Sequence, residues 1–132
     1  MSVYHPPVCP RRVEPVILDL LRREHQDVTF GSLRSPDNPI RECVVVGEPQ
    51  GPQSPVTQYV RLRVSVWVRR DDMTGDITAA QHLANDVIST ITSKGAIDPI
   101  VSAELSNGPI RIADDADPIY MYAIILLAVR TD

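Results

Sequence analysis

The chain has 132 residues, of which 43% are hydrophobic and 23% are charged, and its formal net charge is −4. This length and composition are typical of one folded domain with a core, and they exclude a disordered tail or two ordinary domains. The negative charge argues against a dedicated nucleic-acid binder, which is usually basic, although a local basic stripe remains compatible with it.

Residues 1–12 contain three prolines and no hydrophobic periodicity. We therefore expect an irregular N-terminal arm, followed by a single domain over residues 13–132. The first ten residues lack the charged and apolar regions of a signal peptide, and Cys9 and Cys43 form no CxxC unit. These features predict a reduced, cytosolic origin with Cys43 as a small core residue.

The first half of the domain reads as one helix and three strands. Pro15 suits the first turn of a helix whose apolar face carries Val16, Ile17, Leu20 and Leu21. Residues 28–34 and 42–46 are candidate strands on either side of a turn-rich segment at 35–39. Residues 48–56 contain three prolines and a glycine and predict a long exposed loop. Residues 60–69, VRLRVSVWVR, alternate without a miss and predict a strand with two unlike faces.

The second half predicts a longer helix and then strands. Apolar residues recur at three- and four-residue steps from Ile77 to Ile91, and the helix is expected to end near Lys94 and Gly95. Thr78 with Gln81 fits a capping box, although Thr74 or Asp76 could cap the helix instead. Residues 100–105 predict a strand that is bent at 106–109 and resumes at 110–112, and a tight hairpin at 107–108 is the alternative. An acidic turn at 113–118 then leads into the last strand at 119–130.

This element order predicts an α+β domain with a mostly antiparallel sheet of about five strands and both helices on one face. The last strand is apolar on both sides, which favours cover on both sides. Its 11-residue apolar run, at 119–129, is too short for a membrane helix, which needs about 20 residues.

Two helices can cover one face of such a sheet, so the other face needs a different cover. That face carries Arg61, Arg63, Trp67 and Arg69 and one row of the last strand, which includes Tyr120 and Tyr122. Leaving four or five large apolar side chains in water would forgo on the order of 10 kcal/mol. Because a mixed aromatic, arginine and aliphatic surface is typical of protein interfaces, we expect another copy of the protein there. The alternative is a monomer whose arm and 48–56 loop fold over this face.

No motif for catalysis, cofactor binding or metal binding is present. The three histidines are scattered, and no HExxH, GxGxxG, Walker or GxSxG pattern occurs. The acidic pairs at 71–72 and 114–115 are more typical of solvated turns than of cation sites. We therefore expect no enzyme activity, no cofactor and no metal. A small cytosolic enzyme or ligand-binding domain remains the alternative from another class, and an open pocket with converging polar groups would favour it.

The element order, with residues 106–130 (SNGPIRIADDADPIYMYAIILLAVR) after the helix ITAAQHLANDVISTI, resembles the tail terminator, or tail completion, proteins of long-tailed bacteriophages. This resemblance spans nearly the whole chain as element order, and the proline-rich arm is a departure from it. It implies a virion protein, assembled in the host cytoplasm, that forms a six-fold ring at the head-proximal end of the tail. The ring would stop polymerisation of the tail tube protein and present a joining surface to the head-completion protein. A head–tail connector subunit is the runner-up within the same machinery.

The resemblance also implies which segments make contacts. The proline-rich loop, with Pro49, Gln50, Pro52 and Gln53, joins the arginine-bearing sheet face as a candidate interface. The acidic turn with Asp114, Asp115 and Asp117 is a candidate lining for a lumen through which DNA passes without sticking. No catalytic residue and no membrane contact are implied.

Overall fold

The structure, a computed structural model, describes residues 13–50, 57–72, 74–113 and 119–130. In chain order, this part contains α1 (Glu14–Glu24), β1 (Thr29–Gly31), β2 (Arg41–Gln50), β3 (Thr57–Val68), α2 (Ile77–Lys94), β4 (Ile100–Ile112) and β5 (Tyr120–Arg130). The five strands form one sheet in the order β1-β2-β3-β5-β4, with α1 and α2 packed on the same face. The predicted α+β fold class is confirmed.

The sheet is antiparallel except at one edge. The pairs β2–β3, β3–β5 and β4–β5 are antiparallel, whereas β1 runs parallel to β2. The segment predicted as a strand at 28–34 contributes only three residues to the sheet. As a result, β2 pairs with β1 only over residues 42–44, and no other described strand pairs with the rest of this edge.

Alternation of residue types explains which side of each strand faces the helices. On β3 the valines and leucine of residues 60–68 face the helices and are buried, as the period-two pattern predicts. Helix α1 lies over β1 and β2, and α2 lies over β3, β5 and β4. The core between the layers includes the following fully buried side chains: Ile17, Leu21, Leu62, Val64, Leu83, Ile91, Ile125 and Leu127.

The residues at the ends of the two helices show which of the predicted start and stop signals are used. Pro15 lies in the first turn of α1, as predicted. Asp76, rather than Thr78, caps α2, because its carboxylate accepts a hydrogen bond from the backbone N–H of Ala79 at 3.1 Å. At the other end Gly95 has a right-handed backbone, and a Cβ there would lie 2.3 Å from the carbonyl oxygen of Ile91. Close approach, and not a left-handed turn, therefore requires this glycine.

Strand β4 is a single irregular strand rather than two strands joined by a hairpin. Its register against β5 shifts at three places, and Gly108 has a φ of 92°. That region of backbone space favours glycine, which is why the bulge occurs here. The bent continuous strand is thus the correct one of the two alternatives for residues 106–109.

Strand β2 is longer than the sequence predicts. It continues through Pro49 to Gln50, into the segment predicted as a loop from residue 48. Proline is compatible with this position because that part of β2 is an edge of the sheet. The rest of the predicted loop, residues 51–56, lies outside the described residues, as does the predicted arm at 1–12.

Candidate subunit interface

The sheet face opposite the helices, here called the second face, is organised by the strand register. Directly paired residues point to the same side of a sheet, so the register defines rows of neighbours across it. In the order β4, β5, β3, β2, these rows are Ile112–Tyr120–Trp67–Glu42, Ile110–Tyr122–Ser65–Val44, Asn107–Ile124–Arg63–Val46 and Glu104–Leu126–Arg61–Glu48, and a last row across β4, β5 and β3 is Ser102–Ala128–Tyr59.

Trp67 lies at the end of the second face that is closed within the subunit. Its ring stacks on Tyr120 with a centroid distance of 4.7 Å and an interplanar angle of 27°. The guanidinium of Arg34, from the segment between β1 and β2, lies 5.0 Å from the Trp67 ring centroid. This is the geometry of a cation–π contact. Only 5% of Trp67 is exposed, so its side chain serves mainly the folding of its own subunit.

A buried ion pair lies beside Trp67. Nη1 of Arg69 is 3.1 Å from Oε1 of Glu42 and donates a second hydrogen bond to the carbonyl oxygen of Pro39 at 2.6 Å. The other carboxylate oxygen of Glu42 accepts a hydrogen bond from the backbone N–H of Ser35 at 2.6 Å. The side chains of Arg69 and Glu42 are 1% and 2% exposed. The pair therefore fastens the 35–39 segment to the sheet.

These contacts bear on the prediction that Arg69 and Trp67 meet another copy of the protein, which stays a prediction. The alternating pattern placed both on a surface that meets another molecule, and both do lie on the second face. However, a segment of the same subunit covers them. Val44 and Ile124 are also buried, so this end of the second face is largely closed within a single subunit, although Ile110 on the outer strand β4 is 44% exposed.

The opposite end of the second face is open. Tyr59 is 51% exposed and Val46 is 36% exposed, while Leu126 and Ala128 are half-buried. Arg63 is paired with Glu48 through Nη2 and Oε1 at 2.9 Å, and both side chains are partly exposed. Arg61 is half-buried and Glu104 is exposed. We call this surface the open patch; it comprises Val46, Tyr59, Arg61, Arg63, Glu104 and Leu126.

The remaining predicted site residues fall into four groups. Arg61 and Arg63 belong to the open patch, and Tyr120 and Tyr122 are half-buried towards the closed end. Pro49 and Gln50 form the end of β2, paired with Val60 and Tyr59 of β3. Pro52, Gln53 and the acidic Asp114, Asp115 and Asp117 lie outside the described residues.

Sequence reasoning missed several members of the open patch. In ECVVVGE, Val46 and its neighbour Glu48 alternate with Cys43, Val45 and Gly47, so the period of two in this stretch could have placed Val46 on the second face. The prediction ended this strand at residue 46 and assigned Glu48 to a loop. Glu104 had no such signal, because the bulges of β4 interrupt its alternation.

The titratable groups elsewhere fit structural roles. Burial raises the pKa of the Cys43 thiol, and the neighbouring charge of Glu42 adds to this. His25 at the end of α1 contacts the hydroxyl of Thr90 on α2 at 2.8 Å, which joins the two helices. Among the described residues, no cluster of three or more His, Cys, Asp and Glu side chains is placed to hold a metal ion. None of the described helices has the length and hydropathy needed to cross a membrane.

No protein-family model matches this sequence, and no curated protein is significantly similar to it.

Proposed function

We propose that copies of this chain form a six-fold ring that terminates the tail tube of a long-tailed bacteriophage at its head-proximal end. The observation that carries this proposal is the open patch. It combines aliphatic, aromatic and arginine side chains on a sheet face that two helices cannot reach. Together with the resemblance in element order, this favours an assembly subunit over an enzyme.

The open patch has the composition of a contact surface rather than of an ordinary solvated sheet. Fully burying a large apolar side chain contributes roughly 1.5–3 kcal/mol. Because Tyr59, Val46 and Leu126 are already partly buried, completing their burial would contribute on the order of 2–3 kcal/mol before the entropy cost of association. Arginine and tyrosine are also residues that interfaces favour. One such contact is weak, but a closed ring contains one contact of this kind between each pair of neighbouring subunits.

A ring requires two different contact patches on each subunit. Head-to-tail contacts close into a ring when the rotation between neighbours allows it. Because the open patch lies at one end of one face, it can be one of the two patches. The end of β2, with Pro49 and Gln50, borders it and would extend the contact.

Termination in this proposal is steric and involves no catalysis. One side of the ring would match the last ring of the tail tube protein, while the opposite side would match only the head-completion protein. The acidic turn with Asp114, Asp115 and Asp117 would face the lumen and repel the phosphates of passing DNA. The protein would act in the virion after assembly in the host cytoplasm.

The test is negative-stain imaging of the purified protein, alone and with tail tubes. We expect rings, or caps at tube ends that stop further elongation. Tyr59→Asp places a charge in the open patch and should abolish rings and caps while the subunit stays folded. The matched control, Asn85→Asp on the exposed side of α2, should assemble normally.

Two outcomes would contradict the proposal. One is a protein that neither forms rings nor binds tube ends at any concentration; the other is normal caps from Tyr59→Asp. Binding to the head-side connector without binding to tubes would reassign the protein to the head-completion role.

A further inference from the structure

One row of the second face carries opposite charges on either side of an apolar centre. In this row Leu126 of β5 lies between Arg61 of β3 and Glu104 of β4. Two strand spacings, about 10 Å, separate the backbones of the two charged residues. Within the described part of the chain, neither Arg61 nor Glu104 has a hydrogen-bond or ion-pair partner. The fourth member of the row, Glu48 of β2, is directly opposite Arg61 but is paired with Arg63. Arg61 and Glu104 are therefore a positive and a negative side chain without a bonded partner among the described residues, and they flank a half-buried leucine.

This arrangement is self-complementary under one particular symmetry. A two-fold axis parallel to β5 places β3 of one copy over β4 of the other. Arg61 of each copy then faces Glu104 of its partner, twice, while Leu126 and Ala128 pack against their own copies. Two packed sheets lie about 10 Å apart, a gap that an arginine and a glutamate can bridge together.

The alternative two-fold axis is disfavoured by the same charges. An axis running across the strands places β3 over β3. Arg61 and Arg63 of one copy would then approach Arg61 and Arg63 of the other. Like charges brought together across an interface oppose association, so the charge pattern selects the axis along β5.

The sheet edge is a poorer contact surface than the face. Strand β4 is an outer strand of 13 residues and could in principle accept a strand from another copy. However, it carries three register shifts, Pro109 and the exposed charges of Glu104 and Arg111. Bulges, proline and charge are the features by which edge strands resist strand addition. The open patch on the face has no comparable obstacle.

We propose that the free protein is a two-fold dimer in which the open patches of two copies face each other, with Arg61 of each copy paired with Glu104 of the other. The dimer closes on itself, whereas ring contacts are head-to-tail. The inference therefore does not rest on the tail role. Because the proposed ring uses the open patch as one of its two contacts, ring assembly has to open the dimer.

The test is sedimentation equilibrium of charge-reversed variants. Arg61→Glu alone makes both contacts Glu–Glu, and Glu104→Arg alone makes both Arg–Arg. Each variant should weaken self-association at least about tenfold relative to the wild type. An equimolar mixture of the two should dimerise again, because the heterodimer has two contacts of opposite sign. Arg111→Glu makes the same charge change elsewhere on the sheet and should associate like the wild type.

Each remaining outcome overturns the inference. Such outcomes are a wild-type monomer at several hundred micromolar, single variants that associate as well as the wild type, or a mixture that fails to recover. Recovery of the mixture as a hexamer would replace the two-fold dimer with a ring that uses the same ion pair. Failure to cap tail tubes would remove the proposed function and leave the dimer standing, so the two failures are distinguishable.

Discussion

The buried pair of Glu42 and Arg69 gives the sharpest test of how this fold is held together. Arg69→Met removes the only cation that contacts the Glu42 carboxylate among the described residues, and it also removes a donor from the carbonyl of Pro39. Glu42→Leu leaves the guanidinium buried in the same way. Removing one partner of a buried ion pair costs about 3–5 kcal/mol, because the remaining charge is neither solvated nor paired.

The double variant Glu42→Leu/Arg69→Met should be more stable than either single variant. It buries no charge, and replacing a buried ion pair by apolar residues is often neutral or stabilising by about 1–4 kcal/mol. The backbone N–H of Ser35 and the carbonyl of Pro39 still lose partners, at about 1–3 kcal/mol each. Because Ser35 and Pro39 are only partly buried, these losses lie near the low end of that range, and we expect a net cost of about 0–3 kcal/mol.

Urea unfolding followed by tryptophan fluorescence measures these costs directly. Trp67 is the single tryptophan and is the cross-strand neighbour of Glu42, so it reports on the affected region. Arg63→Met is the matched control: the same substitution, six residues earlier in β3 and on the same face of the sheet, breaks the partly exposed pair with Glu48 and should cost less than about 1 kcal/mol. The reasoning is refuted if Arg69→Met costs no more than Arg63→Met, or if the double variant costs the sum of the singles.

Three further predictions concern the helices and the core. Asp76→Ala removes the α2 cap and should destabilise the protein by about 1 kcal/mol in urea unfolding. Thr78→Ala should have a much smaller effect, and equal losses of stability would contradict the assignment of the cap. Burial and a raised pKa should make Cys43 unreactive towards a thiol reagent until the protein unfolds. The measurement uses a variant whose other cysteine is replaced by serine, and rapid labelling of its native state would contradict the prediction. Lys94, mainly through its 2.5 Å hydrogen bond, holds the pKa of the Glu24 carboxyl below its ordinary value of 4.5. A depressed pKa stabilises the fold above the unfolded value and ceases to do so as the pH falls through the folded value. The difference in urea midpoint between the wild type and Lys94→Met should therefore be present at neutral pH and vanish in acid, and a difference that persists in acid would contradict it.

Strict periodicity is the part of this fold that the sequence could reveal. The alternation of residues 60–69 predicted a strand and its buried side, and the three- and four-residue spacing from Ile77 to Ile91 predicted α2. In both cases one side of the element is apolar along its whole length, so local pattern and tertiary burial agree. The second apolar side of β5 remains the basis of a prediction, that another copy of the protein covers the second face.

Elements that depend on distant partners were not predictable in the same way. A strand was predicted at 28–34, but its reduction to the three residues of β1 was not, because its extent depends on pairing with residues 42–44. Three residues near the start of α2 could each cap it, and the one that does depends on where β3 ends: Asp76 donates its backbone N–H to the carbonyl of Val68. That hydrogen bond fixes Asp76 at the start of the helix.

Alternation also cannot distinguish an arginine that faces water from one that a loop covers. Arg69 and Arg63 occupy equivalent positions in VRLRVSVWVR, yet one is buried and the other is exposed. The difference arises from a segment about 30 residues earlier in the chain. There the carbonyl of Pro39 accepts a hydrogen bond from Arg69, and the backbone N–H of Ser35 donates one to Glu42. A local pattern contains no information about that segment.

Because Trp67 and Arg69 are buried within the subunit, the candidate interface lies further along the sheet, at the open patch. Trp67 is the residue that composition favours most strongly as an interface anchor, but its ring is already stacked on Tyr120 and covered by Arg34. Truncating it would cost about 3–5 kcal/mol of folding stability, so a loss of assembly in Trp67→Ala would report on unfolding. Tyr59, two rows beyond Arg63 on the same strand face, is half-exposed and its truncation removes little from the core. Assembly that depends on Tyr59 and not on core stability would therefore place the contact at the open end of the sheet.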